Sequence, residues 1–315
     1  MPATTLDIFR YQPDVSDEVY RQDFTLDHVE DITLLDAILD LQNEQDGTLA
    51  VRYSCRSSIC GSCTCMANGK TVLACMSQVE DLKEEFGTQR IAVDPIGNFA
   101  PIKDLVVDLD PFWAKFKSVK PYLIPDGPPP ERERIVSKEA MQKIYRESRC
   151  ILCAACYSEC DSLAADPEFV GPAALAFGYR FVGDERDGQR KERARLYSGD
   201  HGVWDCTRCM NCNERCPKGV EPRDAIEKLG GVAFQEGVTS DTGARHAKAF
   251  LISMRTGGKL NESLLVSYTD PIQAQLDLPF AIQMLRHGKA PSPLPERIEK
   301  LGEVKGLMKN VKETI

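Results

Sequence analysis

The sequence predicts an α+β protein in which an N-terminal sheet domain is followed by an all-helical domain and a helical extension. Three features indicate this: alternating polarity near the N-terminus, helical periodicity further on, and two copies of one cysteine pattern in the second half. With 315 residues the chain is long enough for two domains. We expect a sheet domain over residues 1–110, a proline-rich linker over 111–135, a helical domain over 136–244 and a helical tail over 245–315.

The first elements are expected to be two strands and a helix. Residues 4–11 and 19–26 alternate in polarity, which predicts a β-hairpin. Thr33 is a typical helix cap, and the leucines after it recur with a helical period. We also expect a short strand at residues 51–53 and a continuation of the sheet over residues 91–107.

Four cysteines follow with a spacing that is typical of a two-iron cluster. Cys55, Cys60 and Cys63 form the pattern C-x4-C-x2-C of plant-type ferredoxins. The Asn68-Gly69 dipeptide predicts a hairpin turn that brings Cys75 back to this loop as the fourth ligand. Strand, strand, helix, cysteine loop and strand is also the element order of a β-grasp ferredoxin. The first domain is therefore expected to bind a 2Fe-2S cluster through these four thiolates.

Two further residues of this region have different expected roles. Gly61 lets backbone amides approach the sulfurs without a side chain in the way. Cys65 is surplus to the four ligands, and a free cysteine commonly behaves as a small buried hydrophobe. We therefore interpret Cys65 as a core residue and not as a ligand.

The second half of the chain carries the pattern C-x-x-C-x-x-C-x-x-x-C twice. Bacterial two-cluster ferredoxins use this run, and the fourth cysteine of each motif binds the other cluster. We therefore expect one 4Fe-4S cluster on three cysteines of the first motif and the last cysteine of the second, and another cluster on the remaining four. The first set is Cys150, Cys153, Cys156 and Cys216, and the second set is Cys160, Cys206, Cys209 and Cys212.

Two other chemistries use paired cysteines. A zinc-binding interaction module would contain C-x-x-C pairs, but zinc needs four thiolates per ion and not runs of four that end in Cys-Pro. Disulfides need an oxidising compartment, and the polar segment after Met1 lacks the character of a signal peptide. Thirteen cysteines therefore predict metal ligands in a reducing compartment.

Charge and hydropathy argue against several other classes of protein. The net charge of −9 disfavours a nucleic-acid-binding role, because phosphates require a basic surface. No apolar run approaches the roughly 20 residues of a membrane helix, so we expect a protein that is soluble or is held on a membrane by a partner. No G-x-G-x-x-G follows a strand, which argues against a dinucleotide site. We interpret the charged run at residues 184–195 as a solvated face.

The order of these domains resembles that of the iron–sulfur subunit of succinate dehydrogenase and fumarate reductase. The resemblance extends from the N-terminus to about Leu229. It implies a flavoprotein partner with covalently held FAD that interconverts succinate and fumarate. It also implies that this chain only carries electrons between flavin and quinone, has no catalytic residue of its own, and lies in the cytoplasm on the inner face of the cell membrane through partner subunits. The matching strings are Ser54-Cys55-Arg56, Cys60-Gly61-Ser62-Cys63, Leu73-Ala74-Cys75, Asp94-Pro95, Cys150-Ile151-Leu152-Cys153, Phe169-Val170-Gly171-Pro172-Ala173 and Cys216-Pro217-Lys218-Gly219-Val220.

Two departures from the family pattern concern the third cluster and the quinone. Cys209 stands where the family usually has an aliphatic residue and a 3Fe-4S cluster, so we expect a second 4Fe-4S cluster, with 3Fe-4S as the alternative. Thr207 and the Leu163-Ala164 region replace the His and Trp that line the usual quinone pocket. We interpret Trp204 as a packing residue.

The tail is the third departure. Arg245-His246, Phe250-Leu251 and residues 256–262 and 285–289 resemble the ferredoxin subunit of heterodisulfide reductases. This implies a cysteine-rich partner subunit of that reductase type in place of a membrane-anchoring helical haem subunit. It leaves a heterodisulfide- or thiol-linked fumarate reductase open as an alternative function. Single histidines on helices are seldom ligands, so His201, His246 and His287 are not expected to bind metal.

Overall fold

The structure of the protein is a computed structural model that describes residues 3–292 and 294–314, with side chains as far as residue 309. Its contacts divide the chain into two units. The first unit holds the residues up to 190 together with 206–226, and the second holds 191–205 together with those from 227 onward. These units do not coincide with the four segments expected from the sequence, whose boundaries remain predictions.

A five-stranded mixed sheet opens the first unit. Its strands are β1 Thr4–Gln12, β2 Ser16–Leu26, β3 Thr64–Ala67, β4 Lys70–Leu73 and β5 Arg90–Asp94, in the order β2-β1-β5-β3-β4. β1 and β2 form the predicted antiparallel hairpin, and β1 pairs in parallel with β5. β3 and β4 form a second hairpin, and both residues of its Asn68-Gly69 turn have positive φ, as a type I′ turn requires.

Helix α1, Leu34–Glu44, supplies much of the core of this sheet domain. The Thr33 side chain accepts from the Asp36 N–H, and the Asp36 carboxylate accepts from the Thr33 N–H, so a capping box starts the helix where the sequence predicted. A second helix, α2 Val79–Phe86, contacts β5. Buried residues of α1 share one hydrophobic cluster with the sheet, including Leu6, Ile8, Leu35, Ile38 and Val93.

The segments after the cysteine loop differ from the expectation. Residues 51–53 form no strand. The sheet ends at Asp94, and β6 Pro101–Lys103 with β7 Val106–Val107 form a separate two-stranded sheet. The segment expected to be a linker holds helix α3, Asp110–Ser118, because Phe112 is buried there with its ring edge-on to Tyr157 at 4.9 Å.

The cysteine motifs lie among short helices. Among the described residues, no helix has both the length and the apolar character needed to cross a membrane. The remaining helices are α4 Lys138–Lys143, α5 Tyr145–Ser148, α6 Ala155–Ser158, α7 Asp161–Ala165, α8 Pro172–Val182, α9 Arg190–Ser198, α10 Asn211–Glu214, α11 Pro222–Gln235, α12 Thr242–Thr256, α13 Glu262–Thr269, α14 Pro271–Leu276, α15 Leu278–Arg286 and α16 Leu301–Thr314.

Trp204 is a packing residue of the second unit, as expected from the sequence. Its Nε1 donates to Ser198 Oγ at 2.7 Å, and its ring meets Phe234 edge-on at 5.6 Å. Ser198 in turn donates to Asp241, which caps α12. A Cβ on Gly243 would lie 2.2 Å from the Trp204 Cβ, so glycine is needed beside the indole.

The charged run at residues 184–195 is not a solvated face throughout, so that interpretation is wrong. The Arg186 guanidinium binds the Asp184 carboxylate with two hydrogen bonds, and this pairing lowers the pKa of Asp184. Arg193 is buried and donates to the Tyr197 hydroxyl at 3.1 Å. Asp184, Arg186 and Arg193 therefore each have a partner close by in the chain, which a charge pattern alone does not reveal.

A buried ion network joins β1 to two loops. Arg10 Nε donates to Asp104 at 3.1 Å and Nη1 donates to Asp46 at 2.8 Å, and neither the Arg10 nor the Asp104 side chain is exposed. Asp104 also accepts from the backbone N–H groups of Tyr11 and Ala50. Burial alone would lower the pKa of Arg10, but hydrogen bonds to Asp46 and Asp104 raise it above its ordinary value. The network therefore keeps its charges paired.

Asp104→Asn should lower the free energy of unfolding by about 3 kcal/mol, because it removes a buried counter-charge and replaces an acceptor by a donor. Asparagine tolerates the φ of 46° at this position. Guanidinium unfolding of the full chain, followed by circular dichroism, measures the loss. Asp23→Asn breaks the exposed pair with Arg90 and is the control, with a nearly unchanged midpoint expected. Equal midpoints for the two variants would contradict the role of Asp104.

Candidate metal centres

Backbone amides converge on the sulfurs of the first cysteine loop. The Cys55 Sγ accepts from three N–H groups, each at 3.3 Å, and the Cys60 Sγ accepts from one at 3.5 Å. Positive φ at Arg56, Ser58 and Gly61 turns these amides inward. Amide donors of this kind offset the negative charge of thiolates bound to iron. The donors to Cys55 are the amides of Ser57, Ile59 and Cys60.

The same loop holds the fourth thiol. The Ser58 N–H donates to Cys75 Sγ at 3.3 Å, and the Cys75 N–H donates to Cys63 Sγ at 3.4 Å. Cys75 comes two residues after β4, so the β3–β4 hairpin returns it to the loop as the sequence predicted. Four thiols with amide donors and limited exposure fit the donor set of a 2Fe-2S cluster.

The pKa values of two thiols in this loop are shifted in opposite directions. Hydrogen bonds from the Ser62 side chain, and then from backbone N–H groups, lower the pKa of Cys60 to about 6. Burial raises the pKa of Cys63 to about 12. A buried thiolate therefore needs a cation beside it, which bound iron supplies.

Cys65 occupies a different position from these four. It lies on β3 opposite Val72, is buried, and belongs to the hydrophobic core of the sheet domain. Burial raises the pKa of its thiol well above the ordinary value. These surroundings agree with a packing role.

One cavity is lined by four cysteines from both halves of the repeat. Cys150, Cys153 and Cys156 come from the first motif and Cys216 comes from the end of the second. Small side chains such as Ala154, Ala155 and Ala173 complete the wall and leave room. The donor set fits a cubane held by three local thiolates and one crossing thiolate.

The other four cysteines are also neighbours. Burial, together with the neighbouring thiolates of Cys206, Cys160 and Cys209, raises the pKa of Cys212 to about 12. Burial likewise raises the pKa of Cys160, with additional effects from Cys206 and Cys209. The thiols of Cys160 and Cys212 are therefore both close enough to Cys206 and Cys209 to be affected by their charges, as members of one metal site would be. Cys209 is exposed whereas Cys160 and Cys212 are buried, so one corner of this site faces outward.

The two motifs repeat one backbone conformation. Leu152 and Ala154 have φ of 55° and 61°, and the equivalent Arg208 and Met210 have φ of 60° and 73°. Each pair brackets the second cysteine of its motif, and a four-residue helix, α6 or α10, follows directly. Cys209 therefore has the same backbone setting as Cys153.

Close contacts connect the two-iron loop to the first motif. A Cβ on Gly61 would lie 2.6 Å from the Cys153 Cβ, so only glycine fits between them. Lys218, in the Cys-Pro-Lys string, donates to Ser58 Oγ at 2.9 Å. Asn98 donates to the carbonyl oxygens of Tyr157 and Cys160 at 2.7 and 3.1 Å. These contacts of Lys218 and Asn98 were not expected from the sequence, although both residues lie in or near strings on which the resemblance rests.

The remaining expectations concern residues away from these sulfurs. The Thr207 N–H donates to Ser162 Oγ at 3.1 Å, which gives Thr207 a structural contact. Leu163 is buried. His246 is exposed beside Phe250, and His287 is exposed at the end of α15.

Comparisons with known proteins agree with this geometry. A model described as "2Fe-2S iron-sulfur cluster binding domain" matches residues 5–114, and one described as "4Fe-4S dicluster domain" matches residues 147–220. The succinate dehydrogenase iron-sulfur subunit of Coxiella burnetii is 39% identical over 235 residues, which cover 74% of this chain and 97% of that protein. The fumarate reductase iron-sulfur subunit of Haemophilus influenzae is 37% identical and covers 72% and 91%.

Two further comparisons concern a longer match and a solved structure. The 8-methylmenaquinol:fumarate reductase iron-sulfur subunit of Wolinella succinogenes is 32% identical over 276 residues, covering 86% of each chain. A chain of the Mycobacterium smegmatis Sdh1 complex in the apo form superimposes with a TM-score of 0.64 at 25% identity, covering 74% of this chain and 96% of that chain.

The fold and the thiol sites define an iron–sulfur electron-transfer protein with a two-iron domain and a helical four-iron domain. The chain belongs to the family of iron–sulfur subunits of succinate dehydrogenase and fumarate reductase. The fold class, the family and the 2Fe-2S and 4Fe-4S cofactors expected from the sequence are thereby confirmed. The heterodisulfide-reductase-like character of the tail is not shown by these comparisons.

Gly61→Ala should lower the iron content and weaken the reduced two-iron EPR signal, because its Cβ would overlap Cys153 and its φ of 72° disfavours a side chain. Gly69→Ala is the matched control, since Gly69 has a φ of 79° and no neighbour within 4 Å of an added Cβ. Iron analysis and EPR of anaerobically purified protein compare the two variants. If both variants kept full iron and unchanged spectra, the contact between Gly61 and Cys153 would not matter for the cluster.

Proposed function

We propose that this chain is the electron-transfer subunit of a succinate dehydrogenase or fumarate reductase and holds three clusters in the cysteine sets expected from the spacing. The observation that carries the proposal is the cavity lined by three cysteines of the first motif and the last cysteine of the second. When bound, each cluster accepts and releases one electron. The sets are Cys55, Cys60, Cys63 and Cys75 for 2Fe-2S, Cys150, Cys153, Cys156 and Cys216 for 4Fe-4S, and Cys160, Cys206, Cys209 and Cys212 for the third cluster.

The third cluster is proposed to be 4Fe-4S, with Cys209 as its fourth iron ligand. The backbone around Cys209 repeats that around Cys153, and its charge affects the thiols of Cys160 and Cys212. Cys209 is also exposed, which argues against the rival role of a packed hydrophobe. An aliphatic residue at this position would leave one iron without a strong ligand.

We propose an order of the three sites along the electron path, which the contacts between them support. The two-iron loop touches the first motif at Gly61 and Cys153, and Lys218 ties that loop to the end of the second motif. We therefore place the Cys150 motif between the two-iron loop and the Cys206 motif. The sheet domain then faces the flavoprotein and the helical domain faces the membrane side.

The proposed partners are an FAD flavoprotein that acts on succinate or fumarate and a membrane-anchoring subunit. Relatives named as subunits of succinate dehydrogenase and fumarate reductase support this assignment. The Wolinella relative is named for a menaquinol, which supports the quinone pool as the other redox partner. We propose that the chain lies in the cytoplasm, peripherally on the inner face of the cell membrane, through these partners.

The tail is proposed to bind a cysteine-rich subunit of the heterodisulfide-reductase type. The Wolinella match covers 86% of the chain and so includes part of the tail. Helices α13, α14 and α15 bury no residue within the described chain, and large apolar side chains on them are exposed. Such a surface is typical of a protein interface. The exposed residues include Val266, Ile272, Leu276, Leu278, Phe280 and Leu285.

Cys209→Ile should convert the third cluster from 4Fe-4S to 3Fe-4S. A 3Fe-4S cluster is paramagnetic when oxidised, whereas an oxidised 4Fe-4S cluster gives no EPR signal. We therefore expect a new oxidised signal of about one spin per protein and the loss of one of the ten irons that the three proposed clusters require. EPR and iron analysis of the anaerobically purified complex measure both changes.

Cys65→Ile is the control for this substitution, because it also removes a thiol but lies in the sheet core. It should create no oxidised three-iron signal. A stoichiometric three-iron signal in the unmodified, anaerobically prepared complex would contradict the role proposed for Cys209.

Leu276→Ser combined with Leu285→Ser should detach the partner on the tail while the flavoprotein stays bound. Truncating central interface residues weakens binding by roughly tenfold or more. Co-purification of subunits measures the loss, and fumarate reduction with an artificial dye should remain while quinone-linked turnover falls. Assays with quinones and with thiols separate the quinone-linked function from the thiol-linked alternative.

Leu307→Ser is the matched control, because Leu307 on α16 is 67% exposed, like Leu276 at 68% and Leu285 at 69%. Retention of every subunit and of quinone-linked turnover in the double variant would contradict the proposed role of the tail. Cross-linking of the Cys206 region to the flavoprotein would contradict the proposed order of sites.

A further inference from the structure

Two oppositely charged residues stand directly before the fourth cysteine of each motif. Glu159 precedes Cys160, and Arg215 precedes Cys216. The Arg215 Nε donates to Glu159 Oε2 at 2.7 Å, and the side chains are only 28% and 14% exposed. Because each fourth cysteine binds the cluster of the other motif, this ion pair joins the two segments that cross between the sites.

The second oxygen of the same carboxylate connects the pair to the sheet domain. Glu159 Oε1 accepts from the Thr71 N–H at 2.7 Å, and Thr71 lies on β4, the strand that leads to Cys75. The Glu159 carbonyl oxygen also accepts from Asn211 Nδ2 at 3.2 Å, at the start of α10. One residue therefore contacts the strand before the two-iron ligand and both helical motifs.

Other contacts hold the same segment without the carboxylate. Ser158 Oγ lies 2.9 Å from both the Thr71 hydroxyl and the Gly97 N–H. Asn98 Nδ2 bonds the carbonyl oxygens of Tyr157 and Cys160. The segment is thus anchored to the sheet domain independently of Glu159, and removal of the charge should leave the fold in place.

We propose that Glu159 and Arg215 are a positioning pair that fixes the two crossing cysteines relative to each other and thereby sets the reduction potentials of both helical clusters together. The inference rests on the ligand sets proposed above. Its physical basis is that partly buried charges interact through a lower effective dielectric than water, so an unbalanced member of the pair acts on both nearby metal sites.

The two single variants should shift both potentials, and in opposite directions from each other. Glu159→Gln keeps an acceptor for the Thr71 N–H but leaves the Arg215 cation unbalanced, so reduction of both clusters becomes easier and both potentials rise. Arg215→Gln leaves the carboxylate unbalanced, so both potentials fall. We expect a change of about tenfold in each reduction equilibrium, or about 59 mV for a one-electron couple.

Two more variants separate charge from geometry. The double variant Glu159→Gln with Arg215→Gln has the original net charge and should bring both potentials back towards their starting values. Arg215→Lys keeps the charge and should shift them little. Lys70→Gln is the control, because Lys70 lies beside Thr71 on β4 but pairs with Glu85.

The experiment is a potentiometric titration of the anaerobically purified complex, followed by EPR, with iron and sulfide analysis of every sample. Opposite shifts at unchanged iron content support the pair. Potentials that match the Lys70→Gln control, or that move in one direction for both single variants, overturn it. If the Glu159→Gln variant fails to assemble, the comparison of Arg215→Gln with Arg215→Lys tests the proposal. Lower cluster potentials in Arg215→Gln but not in Arg215→Lys would support the pair, and equal potentials in the two variants would overturn it.

Failure of the ligand assignment gives a different result. Wrong ligand sets would appear in the unmodified complex as an iron content or cluster type that disagrees with the proposed clusters. If only the proposal for the ion pair is wrong, the iron content and cluster types are as proposed, and the variants do not shift the potentials as expected.

Discussion

One electrostatic constraint governs this structure, because several thiolates must lie close together in the protein interior. Burial is the largest of the effects that raise the pKa values of Cys63, Cys150 and Cys212 to about 12, so their charged forms require iron and hydrogen-bond donors. The chain supplies the donors from its own backbone. Left-handed residues in every cysteine motif turn amides toward the sulfurs, as at Ser58 and Leu152. Because these conformations are unfavourable for most residues, the loops persist only where the surrounding elements hold them. The hairpin of β3 and β4, and the short helices α6 and α10, provide that support.

A second constraint is the distance that an electron must cross between sites. The sheet domain and the first cysteine motif approach so closely that Gly61 has no room for a Cβ against Cys153. Around this contact the domains are joined by hydrogen bonds from Asn98, Thr71 and Lys218 and not by apolar packing alone. Hydrogen bonds fix the relative position of two domains more narrowly than apolar contacts do, because a hydrogen bond is lost when its donor and acceptor shift by about an ångström. The polar character of the junction therefore suits a protein whose function is to hold redox sites at fixed separations.

The parts that could be predicted from sequence are those encoded locally. The spacing of Cys55, Cys60 and Cys63 and the Asn68-Gly69 turn define a loop and a hairpin whose ligands and amides lie within a few residues. The capping box at Thr33 is equally local. The parts that were missed depend on side-chain contacts that the residue pattern does not specify. Arg193 looks solvated in sequence because its charge pattern says nothing of the Tyr197 hydroxyl. Helix α3 was not predicted, because it lies in a proline-rich stretch and its formation depends on Phe112 packing against Tyr157, 45 positions away. Glu159 and Arg215 are likewise ordinary charges until the fold places them together.

The helices of the tail differ from the rest of the chain in how they can be stabilised. Helices α13, α14 and α15 have 8, 6 and 9 residues, which is below the roughly 12 residues at which isolated helices become even marginally stable in water. Each begins with a cap or a proline, so the sequence favours helix, yet none buries a residue within the described chain. The partner proposed for the tail would supply the apolar cover that the described chain does not. The exposed apolar residues provide the means, because covering them removes apolar area from water at about 25 cal/mol per Å². A segment that is helical in its capping signals and apolar on its exterior has the properties of one half of an interface, which is the reason to seek the missing half among the membrane-side partners.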